Sequence, residues 1–287
     1  MINSPPLVLR LPANTRGRTF VMGDIHGSYD LVLQAMKAVN FNPETDWMLS
    51  PGDLIDRGKG SHRCAKFLTQ PYVKAIRGNH EQMYIDLFKD GPPHEAIFEM
   101  LANTNFNGMG WIKGQTEEAR LEILEAFQNL PIAMEVQTAR GSIGLVHADV
   151  PMGMTWQTFL SKVEAGDQYV IDFATGMLDE SRHRIESGRT DGVPGIDRLF
   201  VGHTVQPGGV TRRGNVYALD AGACFGEAGK MRGGHLAFIN AQMSTQILSS
   251  PRVTGVNPLV DVRDFNDEPE RPFSSLDELQ DQDLPRL

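Results

Sequence analysis

TFVMGDIHG (Thr19–Gly27) is the stretch on which the fold turns. A short apolar run, Thr19-Phe20-Val21-Met22, stops at a glycine and is followed by two metal-competent side chains, Asp24 and His26. The same design recurs along the chain. Trp47-Met48-Leu49 leads to Gly52-Asp53, and Val73-Lys74-Ala75-Ile76 leads to Gly78-Asn79-His80. Ile143-Gly144-Leu145-Val146 ends in His147-Ala148-Asp149, Leu199-Phe200-Val201 in Gly202-His203-Thr204, and Val216-Tyr217-Ala218-Leu219 in Asp220-Ala221-Gly222. Runs of this length read as buried strands.

Helical patterns fill the gaps between the early runs. After Ser28, a fitting N-cap, Leu31, Ala35 and Val39 recur at fourfold spacing. Ser61–Leu68 and His80–Lys89 are shorter candidates. Glu117–Leu130 is the strongest, with acids in its first turn and Pro131 as its stop. The order β-α-β-α-β-α predicts an α/β fold with ligands at the carboxyl ends of the strands. Asp90–Gly114, rich in Gly, Asn and Pro, reads as an irregular insertion near the site.

Composition narrows the function. The chain has 287 residues, 40% hydrophobic and 22% charged, enough for a sizeable core. Its net charge of −9 argues against nucleic acid or anionic lipid as a partner. No apolar run approaches the ~20 residues of a membrane span, and residues 1–18 lack a signal-peptide core, so a cytoplasmic protein is expected. Two cysteines, Cys64 and Cys224, are too few for a disulfide framework or a multi-cysteine zinc site and read as packing residues.

Asp24, His26, Asp53, Asn79, His147 and His203 offer oxygen and imidazole nitrogen and no sulfur. Such a set suits Mn²⁺, Fe²⁺ or Zn²⁺. Six ligands are too many for one catalytic ion that must keep open positions, and about right for two ions sharing a carboxylate. A pair ~3.5–4 Å apart can hold a hydroxide and clamp a phosphoryl oxygen.

The ordered set GDIHG (Gly23–Gly27), GDLIDRG (Gly52–Gly58), GNHE (Gly78–Glu81), His147 in its HAD context and GHT (Gly202–Thr204) resembles the phosphoprotein phosphatase family of metallophosphoesterases. GNHEQM and the small size are most similar to its bacterial and bacteriophage-lambda branch. The resemblance covers roughly Thr19–Leu248. It implies a four-layer α/β/β/α sandwich with a dinuclear centre at its rim and a catalytic domain at 18–248. Residues 1–17 would be an N-terminal segment. Residues 249–287 would be an acidic, flexible tail, since nine acids face three bases from Asp261 onward.

By the same resemblance, Asp24 and His26 bind the first ion, Asp53 bridges, and Asn79, His147 and His203 bind the second. Manganese is the first expectation, with iron or zinc as alternatives. His80 matches the general acid, Asp56 the carboxylate that orients it, and Arg57 a phosphate-binding arginine. Arg182, in SRHRIES, best matches the second, with Arg184 or Arg189 as substitutes. The branch usually has Trp two residues before that arginine, where this chain has Glu180. The implied activity is hydrolysis of phosphoserine or phosphothreonine in phosphoprotein or phosphopeptide substrates, phosphotyrosine being a further possibility. The alternative is a symmetrical dinucleoside tetraphosphate hydrolase, a family that typically has Ala where Asp56 stands. A catalytically dead homologue is disfavoured by the unbroken ligand set.

Overall fold

A computed structural model describes residues 5–242 and 257–264. The strands are β1 (Val8–Leu11), β2 (Thr19–Met22), β3 (Trp47–Ser50), β4 (Val73–Ala75), β5 (Ala133–Thr138), β6 (Gly141–Val146), β7 (Arg198–Val201), β8 (Thr211–Arg213), β9 (Val216–Ala218), β10 (Leu236–Asn240) and β11 (Val260–Arg263). The helices are α1 (Tyr29–Ala38), α2 (Cys64–Leu68), α3 (Asn79–Leu87), α4 (Glu95–Thr104), α5 (Glu117–Gln128), α6 (Trp156–Glu164), α7 (Gln168–Ala174), α8 (His183–Glu186) and α9 (Ala223–Glu227).

Each of the six apolar runs forms a strand: β2, β3, β4, β6, β7 and β9. They divide between two sheets, ordered β1-β5-β6-β7-β9-β8 and β11-β10-β2-β3-β4. Within each sheet the functional strands run parallel, β2 with β3 and β4, and β6 with β7 and β9. Parallel pairing brings their carboxyl ends, and the residues that follow them, to one edge.

Three apolar clusters define four layers. Val21, Leu49 and Ile76 meet Met134, Leu145 and Phe200 between the sheets. Phe20, Met48 and Val73 pack with Leu31, Tyr84 and Phe127 beneath one helical layer. Ala133, Val146 and Leu199 pack with Trp156, Phe159 and Val170 beneath the other. Strands buried on both faces explain why their sequences are continuous apolar runs rather than alternating ones. Helix α5 shows how an element is fixed: Thr116 Oγ1 accepts from Ala119 N at 3.2 Å and caps its start. Its buried Ile123 and Phe127 each contribute about 1.5–3 kcal/mol.

Three expectations are corrected by tertiary pairing. The N-terminal segment supplies β1, parallel to β5, so residues 8–11 belong to the six-stranded sheet. Part of the expected acidic tail supplies β11, parallel to β10. Asp261 and Arg263 point to one side, both are buried, and Arg263 Nη2 donates to Asp261 Oδ2 at 3.1 Å. The rest of that tail, residues 265–287, lies outside the described residues. The 90–114 insertion is also less irregular than its composition suggests. Helix α4 buries Phe98 and Leu101, and residues 106–114 wind as tight helical turns toward the site.

Candidate metal centre

All six expected ligands converge at the common carboxyl edge. Asp24 and His26 follow β2, Asp53 follows β3, Asn79 opens α3 just after β4, His147 follows β6 and His203 follows β7. Asp53 is central: Oδ2 lies 3.4 Å from His26 Nε2, and Oδ1 lies 3.4 Å from His147 Nε2. Asn79 Oδ1 is 3.0 Å from both His147 Nε2 and His203 Nδ1. Two overlapping clusters result, His26 with Asp53 and His80, and Asp53 with His147 and His203.

Backbone conformation records the demands of this convergence. His26, Asp53, Asp56, Arg57 and His203 all have positive φ, between 42° and 70°. Among the described residues only Asn40, Asn105 and Asn107 share that feature without being glycine. Each such residue costs of order 1–3 kcal/mol and persists because its surroundings hold it. Gly202 answers a steric demand, since a Cβ there would lie 1.9 Å from Asp24 Oδ1.

Hydrogen bonds to the backbone assign the tautomers. His26 Nδ1 donates to the Ile55 carbonyl at 2.8 Å, and His147 Nδ1 donates to the Pro51 carbonyl at 2.9 Å. Both rings therefore turn Nε2 toward the centre. Arg57 Nη1 approaches His26 Nε2 at 2.5 Å. Asp24 Oδ2 accepts from His203 N at 2.7 Å, while Asp24 Oδ1 and His203 Nε2 are buried without a hydrogen-bond partner. Buried acceptor atoms left without donors fit a cation-binding role, and the donor set of carboxylate, amide oxygen and imidazole fits hard-to-borderline dications.

The electrostatics agree. Burial, reinforced by neighbouring Asp220, raises Asp24 well above the usual carboxylate range. Burial also pushes Asp220 up to about 6. For Asp53 burial is outweighed by His147, His80 and His26, so its carboxyl is held well below the ordinary range. Burial works against a charged His147, but Asp53 overcomes it and lifts the imidazole to about 9. Burial and the charge of His147 push His203 down to about 2. A cluster that binds protons this unevenly is one in which a cation can replace them.

Beside the cluster, His80 Nδ1 donates to Asp56 Oδ2 at 2.6 Å, with both side chains buried. The guanidinium of Arg57 lies over the Phe225 ring, 5.4 Å from its centroid. Of the three arginines in or after SRHRIES, Arg184 and Arg189 are committed elsewhere. Arg184 Nε donates to Asp149 at 2.7 and 3.0 Å, and Arg189 grips Asp191 at 2.7 and 2.8 Å. Arg182 is half-buried, and its charge bears on His203.

Three residues took no role from sequence. Glu81, quoted within GNHE, accepts from the backbone N–H groups of Asp53, Leu54 and Gly78 at 2.7–2.8 Å and ties two ligand-bearing turns together. Asp220 ends its strand as the ligands do, a signal that was available. Trp111 donates to Asp56 Oδ1 at 2.7 Å from 55 residues away, and nothing local marks it.

Residues 17–207 match the family model for calcineurin-like phosphoesterases. The chain belongs to that family. It is 31% identical over 232 residues to serine/threonine-protein phosphatase 1 of Salmonella typhimurium, covering 79% of this chain and 96% of that one. It is 24% identical over 257 residues to the symmetrical bis(5'-nucleosyl)-tetraphosphatase of an Enterobacter species, covering 72% of this chain and 88% of that one. A crystal structure of a candidate diadenosine tetraphosphatase superposes with a TM-score of 0.54 at 17% identity, over 81% of this chain and 92% of that one, a likeness of fold. The family bears out the α/β/β/α expectation and makes this calcineurin-like phosphoesterase a metal-dependent hydrolase. No helix among the described residues is long and apolar enough to cross a membrane.

Proposed function

We propose that this phosphoesterase removes phosphate from phosphoserine and phosphothreonine in proteins, with phosphotyrosine as a further substrate. The observation that carries the reading is the buried His80–Asp56 pair at 2.6 Å. Hydrolysis of an alkyl phosphate expels a strongly basic alkoxide, which leaves poorly without a proton. His80, its Nδ1 proton held by Asp56, has Nε2 available to deliver one. That nitrogen lies 4.0 Å from Asp53 Oδ2, on the side of the ligand cluster.

In this reading Asp24 and His26 would hold one divalent ion, Asn79, His147 and His203 a second, and Asp53 both, with manganese as the first candidate. Such ions supply Lewis acidity, lowering the pKa of water toward neutrality and drawing charge from phosphoryl oxygens. Arg57 binds equatorial phosphate oxygens through its planar fork, and Arg182, whose charge bears on His203, supplies a second guanidinium. Arg182 is favoured over Arg184 and Arg189 because those two are occupied by Asp149 and Asp191. Asp56 accepts the Nδ1 proton bond, fixes the tautomer, and stabilises the imidazolium before it gives up its Nε2 proton.

A second reading, symmetrical dinucleoside tetraphosphate hydrolysis, is kept because a 24% identical relative carries that activity in its name. Asp56, at a position where that family typically has Ala, favours the phosphatase. The test compares phosphoserine peptides with diadenosine tetraphosphate, in Mn²⁺ and with chelator. Faster chelator-sensitive turnover of the peptides is expected. Preference for the dinucleotide would overturn the proposal.

A further inference from the structure

Asp56 is sealed from solvent, and its two carboxylate oxygens serve different partners. Oδ2 accepts from His80 Nδ1 at 2.6 Å, and Oδ1 accepts from Trp111 Nε1 at 2.7 Å. A buried carboxylate held through one oxygen alone can still turn about its Cβ–Cγ bond. A second donor on the other oxygen fixes its plane, and with it the direction of whatever the first oxygen holds. The indole is itself anchored. It stacks on Tyr84 with ring centroids 6.2 Å apart and 19° between planes, and Tyr84 Oη donates to the Arg120 carbonyl at 3.1 Å.

The same segment braces the neighbouring turn at a second point. The Gly108 carbonyl accepts from Arg57 N at 3.4 Å. Gly108 has φ +84°, and a Cβ there would lie 2.2 Å from Arg57 N, so only glycine permits this approach. Asp56 and Arg57 both adopt positive φ, at 70° and 64°. The turn that carries them is thus held from outside by residues 105–114.

We propose that Trp111 is a positioning residue for proton delivery: its indole N–H fixes Asp56, and through Asp56 the imidazole of His80, against the departing oxygen. The inference rests on the reading of His80 as general acid. Its signature is a loss of rate that grows with leaving-group basicity. A misplaced acid slows expulsion of a basic oxygen and barely affects one that leaves as a stable anion.

The test uses two aryl phosphates, so it does not depend on the physiological substrate. Phenol, with a pKa of about 10 like the tyrosine side chain, needs the proton, and nitrophenol needs it far less. Trp111→Phe keeps an aromatic ring beside Tyr84 and removes the N–H together with one ring of the indole. It should lower kcat for phenyl phosphate about 10-fold and for p-nitrophenyl phosphate no more than about 2-fold, with bound metal and KM unchanged. In a His80→Asn background the same change should cost no more than about 2-fold on either substrate, because the route it acts through is gone. Trp111→Leu, also lacking the N–H, provides the same comparison should phenylalanine impair folding. Trp111→His, which can donate, should recover part of the lost selectivity. Equal losses on the two substrates, or losses that multiply in the double variant, would overturn the role of Trp111. If His80→Asn alone shows no leaving-group dependence, the general-acid reading fails, a separate result.

Discussion

Nδ1 of His80 donates to Oδ2 of Asp56 at 2.6 Å, and neither side chain is reached by solvent. The pair is built from two turns 24 residues apart, one after β3 and one opening α3. His80→Asn should keep the metal ions, because His80 is not in the expected ligand set. It should cost about 10²–10⁴-fold in kcat on phosphoserine peptides and distinctly less on p-nitrophenyl phosphate. Asp56→Asn should repeat the pattern more weakly. Metal content by mass spectrometry with kcat on both substrates decides it; loss of metal in His80→Asn would make that histidine part of the metal site instead.

Asp53 faces His26 on one side and His147 on the other at 3.4 Å. A neutral amide at this position removes the one carboxylate shared by both clusters. Asp53→Asn should therefore lose most activity and show weakened binding of both ions by calorimetry. Near-wild-type turnover at modest Mn²⁺ would contradict a shared centre.

Metal affinity should depend steeply on pH. Asp53 lifts His147 to about 9, so below that pH the metal-free imidazole carries a proton that an ion must displace. Asp220, pushed up to about 6 by burial, adds a second proton at the acid end. Apparent affinity should thus rise from pH 6 toward pH 9, by about tenfold per unit where one proton is released, and then level off. The sign for folding is opposite. His147 stabilises the metal-free protein most fully below its unfolded pKa of about 6.5, and that contribution fades as pH rises through about 9. Titration calorimetry with Mn²⁺ across this range, in buffers of different ionisation enthalpy, measures both affinity and proton release.

The strand β11 makes the end of the described chain a structural element. Val260, Asp261 and Arg263 are buried, Asp264 accepts from Arg18, and Asn240 Nδ2 donates to Asp264 at 3.0 Å. Truncation after Leu259 should destabilise by about 2–4 kcal/mol, from the lost burial of Val260 and the exposure of β10. At this chain length that lowers Tm by roughly 5–10 °C. Truncation after Asp264 retains these contacts and should cost less. Equal Tm values for the two truncations would show that β11 adds nothing.

The candidate ligand set and the strands that present it were legible in the sequence because their causes are local. Asp24, Asp53 and His203 stand two to four positions beyond apolar runs that can only be buried strands, and Gly23, Gly52 and Gly202 mark the turns. The fold class followed from the alternation of those runs with helical periods. What only the tertiary structure decided depends on partners far away in the chain. β1 and β11 are four-residue stretches interrupted by charged side chains, and they become strands because β5 and β10 offer them hydrogen bonds. Asp261 and Arg263 read as solvated tail until each neutralises the other in the interior. That Arg184 is tied to Asp149 and Arg189 to Asp191 is likewise decided by contacts distant in the chain or formed only in the fold. Trp111 could not be assigned from its neighbours at all, because its role is one hydrogen bond to Asp56 across 55 residues, and hydrogen bonds of that span leave no period in a sequence.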